Sequence, residues 1–121
     1  MRILVAEDDE MLRAFLVEFL EGLGHAVKSA ANGTELVTLA LGERPDLVIT
    51  DLNMPEMAGN SMIAMLDMYP DLSGLPVIII SGAMASEMED MGIPAEIPIL
   101  TKPFDFEKIK AELTKVAAKL V

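Results

Sequence analysis

Four acids in a row, Glu7-Asp8-Asp9-Glu10, follow the apolar run Ile3-Leu4-Val5-Ala6. A further aspartate, Asp51, closes the run Leu47-Val48-Ile49-Thr50. Ser81 closes Val77-Ile78-Ile79-Ile80, and Lys102 comes just after Ile99 and Leu100. If these runs are neighbouring strands of a doubly wound α/β sheet, ligands bind beyond their carboxyl ends. The polar residues there are then the ones placed to do chemistry. Asp8 and Asp51 side by side would repel, and they call for a cation. Oxygen ligands with no histidine or cysteine among them favour Mg²⁺, with several waters retained. Lys102 adds a second positive charge, and Ser81 offers a hydroxyl to a phosphoryl oxygen. An aspartate nucleophile with a metal and a lysine is a workable phosphoryl-transfer site.

Taken singly, each residue also has an ordinary structural use. Strand-end acids cap helices, and Asp9 or Glu10 is expected to cap the next one. Asp51 could simply open the turn before Pro55, and serine before glycine is common loop chemistry. A lone lysine is usually a solvated charge. The convergence of four strand ends raises them together. His25 has no ligand set around it in the sequence and is read as a surface or strand-edge residue.

The elements that must position these groups follow from periodicity. Continuous apolar runs mark strands buried on both faces. Leu12, Phe15, Leu16, Phe19, Leu20 and Leu23 recur at helical spacing, and that helix should stop at Gly22-Leu23-Gly24. A short strand at about 25–29 follows. Asn32-Gly33 reads as a turn, with a second helix from Thr34 to about Leu41. After the strand ending at Asp51, a loop with Pro55 and Gly59 leads into a third helix that ends before Pro70. Residues 84–91 read as a short, methionine-rich fourth helix, and Gly92, Pro94 and Pro98 make the next stretch irregular. Ile97, Ile99 and Leu100 form a brief fifth strand. A last helix carries Phe106, Ile109, Leu113, Val116 and Leu120 on one face, with lysines late, as the helix dipole prefers. Strands alternating with helices predict a parallel sheet covered on both sides.

Bulk properties narrow the function. With 121 residues, one domain over 1–121 is expected. Hydrophobic residues make up 52% and aromatic ones 4%, so the core must be aliphatic. Without cysteine there are no disulfides or thiolate metal sites. Nine basic residues against 20 acidic give a net charge of -11, so direct binding to a nucleic-acid backbone is not expected. Residues 1–6 are too short for a secretory signal core, and no apolar run reaches membrane-spanning length. A soluble, cytoplasmic protein is expected.

Four stretches carry a resemblance to a known family. Ile3-Leu4-Val5-Ala6-Glu7-Asp8-Asp9 resembles the first strand and acidic pair of the response-regulator receiver domain, the CheY-like module of two-component signalling. Pro45 to Pro55, with Gly59, looks like that family's phosphoacceptor signature. Val77-Ile78-Ile79-Ile80-Ser81-Gly82 is similar to its fourth strand and switch hydroxyl, and Lys102-Pro103-Phe104 to its lysine-proline motif. The resemblance covers essentially the whole chain. It implies a flavodoxin-like, doubly wound (βα)5 fold with a five-stranded parallel sheet in strand order 2-1-3-4-5 and five helices. It implies Asp51 as phosphoacceptor, Asp8 as direct Mg²⁺ ligand, Glu7 acting through water and the Asn53 backbone carbonyl as a further ligand. Lys102 would contact the phosphoryl group, and Ser81 would move to bond it. The implied donor is a phosphohistidine on a sensor histidine kinase or phosphotransfer protein, or a small acyl phosphate. Output would run through protein contacts with a downstream target or a missing output domain. The module would be no enzyme beyond its own phosphorylation and dephosphorylation.

Three features depart from the family pattern. Ile99 stands where tyrosine or phenylalanine is common, so the switch at Ser81 and Ile99 would lack a polar reporter. Gly82 replaces the common alanine, and residues 92–98 hold one glycine and two prolines. Eight of the ten methionines lie from Met54 to Met91. Core packing is expected for Met62 and Met65. For Met84, Met88 and Met91, core and partner-docking surface stand even. Other readings fit less well. A haloacid-dehalogenase-like phosphatase wants an acid where Asn53 stands. A flavodoxin-like cofactor binder wants a phosphate-cradling loop where Glu7 to Glu10 would repel phosphate. A degenerate receiver is at odds with the intact Asp8, Asp51, Ser81 and Lys102 set. Ending after a fifth helix, the chain is either a stand-alone receiver or a fragment of a longer regulator.

Overall fold

The computed structural model describes residues 1–51, 53–54, 57–58, 64, 66–81, 97–101 and 105–120, with backbone only at 53, 54, 57, 58, 81 and 101. Strand β1 (Arg2–Ala6) leads into helix α1 (Glu10–Gly22), then β2 (Ala26–Ala30), α2 (Gly33–Gly42) and β3 (Leu47–Asp51). Strands β4 (Val77–Ser81) and β5 (Ile99–Thr101) follow, and the chain closes on α3 (Phe106–Lys119). The five strands form one sheet in spatial order β2-β1-β3-β4-β5, with every pairing parallel. This is the predicted doubly wound order. Of the five predicted helices, the first, second and last are described in full. Ala64 and Leu66–Met68 are helical and belong to the third. The fourth, with Met84, Met88 and Met91, lies outside the described residues, as do Met62 and Met65.

All five β3 positions are buried, as a central strand covered on both faces requires. Alternation along the strands divides the core. Ile3, Val5, Leu47, Ile49, Ile78 and Ile80 pack with Leu16 and Leu20 of α1 and Ile109, Leu113 and Val116 of α3. Leu4, Ala6, Val48, Val77 and Ile79 pack with Leu36, Val37 and Ala40 of α2 and with Leu66, Leu72 and Leu75. Both clusters are aliphatic, as the composition demanded.

Several details differ from the sequence reading. Phe15 and Leu23 share the apolar helical spacing of the first helix, yet they are 58% and 41% exposed. Only Leu16 and Leu20 of α1 are fully buried. A helix on one face of a narrow sheet covers a thinner stripe than six apolar positions suggest. Phe106 and Leu120 are likewise exposed at the ends of α3. Phe106 instead stacks on Phe19 of α1, with ring centroids 4.5 Å apart. Asn32 is no free turn: its side chain accepts from the Glu35 backbone N–H at 2.8 Å and caps α2, which begins at Gly33. Ile97 precedes β5 rather than joining it. The predicted loop after Asp51 contains a two-residue antiparallel ribbon, Asn53–Met54 with Met57–Ala58.

The first helix ends as its glycines foretold. Gly24 adopts φ +95°. Its N–H reaches the Glu21 carbonyl at 2.9 Å, and that of His25 reaches Leu20 at 3.2 Å. This is the Schellman closure, which needs a left-handed residue at Gly24.

Candidate functional site

Register decides which strand-end residues meet. Ala6 pairs with Thr50, so Glu7 and Asp51 are the next residues outward on adjacent strands. Asp51 pairs with Ile80 and Ser81 with Thr101, so Ser81 and the residue before Lys102 lie at the same carboxyl edge. Glu7, Asp8 and Asp51 are brought together, each offering a carboxylate oxygen within 4.8 Å of the others. Glu7 is 2% exposed and Asp51 7%, while Asp8 is open to solvent. Two buried carboxylates thus stand beside an exposed third.

The loop that presents these acids is bonded at several points. The Glu7 backbone N–H donates to the Ala30 carbonyl of β2 at 3.1 Å. The Asp9 carboxylate accepts from the Leu12 N–H at 3.1 Å and caps α1, which settles the cap on Asp9; Glu10 is the first helical residue. The Asp9 N–H lies 3.5 Å from the Glu7 carboxylate. Arg13 Nη1 donates to the Glu7 backbone carbonyl at 2.8 Å. Sequence reasoning passed over Arg13. The available signal was a cation one turn into α1, where the positive end of the helix dipole disfavours it. Thr50, buried beside Asp51, donates its hydroxyl to the Asp51 carbonyl at 3.0 Å.

The remaining sequence candidates stand as follows. The backbone of Asn53 opens the ribbon directly after Asp51. Ser81 ends β4, and its side chain lies outside the described residues. Lys102 lies outside them altogether. Ile99 is half-buried and packs against the core cluster that contains Ile79, its partner in register. His25 is half-buried at the opposite, amino-terminal edge of the sheet, where the Met1 amine donates to Nδ1 at 3.1 Å. Burial, and then that ammonium, hold its imidazole below the ordinary pKa. Also at the amino-terminal edge, Leu75, Pro76, Ile97 and Val116 line part of a cavity of about 620 Å³, away from the carboxylates.

Three carboxylate oxygens with no nitrogen or sulfur donor suit a small hard dication. Oxygens bound directly to Mg²⁺ at about 2.1 Å cannot be more than about 4.2 Å apart. A spread of up to 4.8 Å therefore fits Mg²⁺ with one carboxylate held through water, or after a small rotation.

An open parallel sheet with acids at the carboxyl edge, where β1 and β3 lie side by side, defines a doubly wound α/β domain of the flavodoxin type. The comparisons narrow this. Residues 3–114 match the family model of the response regulator receiver domain. The chain is 34% identical to the response regulator receiver protein CpdR of Brucella abortus, over 95% of each chain. It superposes on the chemotaxis protein CheY4 of Vibrio cholerae with a TM-score of 0.86 at 27% identity, covering 95% of this chain and 97% of that one. It is 32% identical to a gliding motility regulatory protein of Myxococcus xanthus over 78% of its own length, but it spans only 12% of that relative. The chain belongs to the response regulator receiver domain family. It is a receiver of two-component signalling, the family whose role is to accept a phosphoryl group on an aspartate. No helix among the described residues is long and apolar enough to cross a membrane.

Proposed function

We propose that Asp51 is the phosphoacceptor of this receiver and that its pocket holds Mg²⁺. The observation that carries this is the cluster of Glu7 and Asp8 around the buried Asp51 at the carboxyl edge of the sheet. An Asp51 carboxylate oxygen forms a bond to phosphorus. The bond from phosphorus to the donor breaks, either the P–N bond of a phosphohistidine or the P–O bond of an acyl phosphate. The product is an aspartyl phosphate, which water later hydrolyses. When bound, Mg²⁺ would neutralise the carboxylates and the incoming phosphoryl oxygens. Asp8 and Glu7, with the Asn53 backbone carbonyl, would hold it beside Asp51. Lys102 neutralises the phosphoryl group, and Ser81 moves to donate to it. The side chain of Ile99 occupies the space that Ser81 leaves. Catalysis is confined to the chain's own phosphorylation and dephosphorylation, and 1–121 acts as one domain.

The partners are a sensor histidine kinase or phosphotransfer protein upstream and a protein target or output domain downstream, in the cytoplasm. A net charge of -11 supports signalling through protein rather than nucleic-acid contacts. The test is intact mass after incubation with acetyl phosphate and Mg²⁺. One phosphoryl adduct is expected on the wild type and none on Asp51→Asn. An unmodified wild type that also shows no Mg²⁺-dependent spectral change with beryllofluoride would refute the assignment.

A further inference from the structure

The acids of the pocket are carried on a loop, and a loop needs something to hold it. Asp8 lies between two residues whose positions are fixed by hydrogen bonds. On the far side, Asp9 is fixed as the cap of α1. On the near side, the Glu7 carbonyl, which begins the Glu7–Asp8 peptide, accepts from Arg13 Nη1 at 2.8 Å. Arg13 is itself anchored, because its backbone N–H donates to the Asp9 carbonyl at 2.9 Å. Glu10, Glu18 and Glu21 line the same shallow depression as Arg13. Yet among the described residues Arg13 forms no ion pair within 4 Å. Its guanidinium is directed at a backbone carbonyl in preference to the carboxylates around it.

We propose that Arg13 is a positioning residue: by clamping the Glu7–Asp8 peptide to α1, it aims the Asp8 and Glu7 carboxylates at the cation site. The inference rests on the reading of that pocket as a Mg²⁺ site. Its sign separates it from simple electrostatics. Arg13 is a cation beside a cation site, so as a charge alone it opposes Mg²⁺, and removing it would tighten binding. As a clamp it pre-organises the ligands, and removing it weakens binding. Outer groups that orient metal ligands typically carry 10–100-fold in affinity.

The experiment is calorimetric titration of MgCl₂ into the full chain without any phosphodonor. Arg13→Met keeps the aliphatic stem and removes both charge and donor; it should bind Mg²⁺ about tenfold more weakly. Arg13→Lys keeps one donor and the charge, and should restore most of that loss. Thermal unfolding in EDTA accompanies both variants. A merely structural role would lower the melting temperature and leave the affinity of the folded protein unchanged. Unchanged or tighter binding by Arg13→Met overturns the clamp while leaving the pocket intact. No binding to the wild type overturns the pocket itself, and the clamp with it.

Discussion

Replacing Asp8 by asparagine should make the protein more stable without Mg²⁺ and less stable with it. The magnitude follows from the geometry. Asp8 shares a pocket with Glu7 and Asp51, with carboxylate oxygens within 4.8 Å. Two unit charges at that distance repel by about 0.9 kcal/mol in water and about 3.5 kcal/mol at the effective dielectric of a protein surface. Asp8 is exposed, so the lower figure applies. Two neighbours make the repulsion about 1.7 kcal/mol. Screening with a Debye length of about 8 Å at about 0.15 M salt reduces this to about 1 kcal/mol. In EDTA, Asp8→Asn should therefore unfold about 3–6 °C above the wild type, the shift that about 1 kcal/mol produces in a domain of this size. Mg²⁺ at a hundredfold excess over its dissociation constant stabilises the wild type by about 2.7 kcal/mol. A variant whose affinity falls tenfold loses about 1.4 kcal/mol of that gain, so the order of stability inverts. Urea and thermal unfolding followed by far-ultraviolet circular dichroism, in EDTA and in Mg²⁺, read this directly. If the variant is the less stable protein in EDTA, or if Mg²⁺ raises both transitions equally, the three carboxylates do not form a mutually repelling cation site.

Two further predictions concern the scaffold. Burial and the Met1 ammonium hold His25 below the ordinary imidazole pKa, so the folded chain binds this proton more weakly than the unfolded chain, whose value is about 6.5. Its contribution to stability is complete above pH about 6.5 and declines as pH falls through that value towards the lower folded one. His25→Gln should narrow the difference in urea midpoint between pH 8 and pH 5.5, and an unchanged difference would count against the contact. Asn32→Ala removes the cap that accepts from Glu35 at 2.8 Å. It should lower stability by about 1 kcal/mol in urea unfolding, and a change below a few tenths would show that α2 does not depend on this cap.

Much of the architecture could be read from local pattern because the relevant forces are local. Apolar runs such as Val77 to Ile80 read as strands buried on two faces, and their alternation with helical periodicity implies a parallel sheet covered on both sides. Asp9 as a cap and Gly24 as a left-handed closure are settled by short-range hydrogen bonds, which residue type announces. The acidic run at 7–10 and Asp51 were visible as candidates for the same reason: each stands at the carboxyl end of an apolar run. The sequence could not say which oxygens meet. That depended on the register of Ala6 against Thr50, set by side chains on both faces of the sheet. Nor could apolar spacing show that Phe15 would face solvent while Phe106 found Phe19, because the width of the buried stripe depends on what packs opposite. Arg13 is the clearest case. Nothing in its residue type pointed to the site, and it is the path of the chain from β1 through the acidic loop into α1 that brings its guanidinium to the Glu7 carbonyl. Chain chemistry by itself marked Glu7, Asp8 and Asp51 as acids at strand ends. Tertiary packing decided that Glu7, Asp8 and Asp51 converge within one pocket, since contacts between residues distant in the chain are fixed by the whole core.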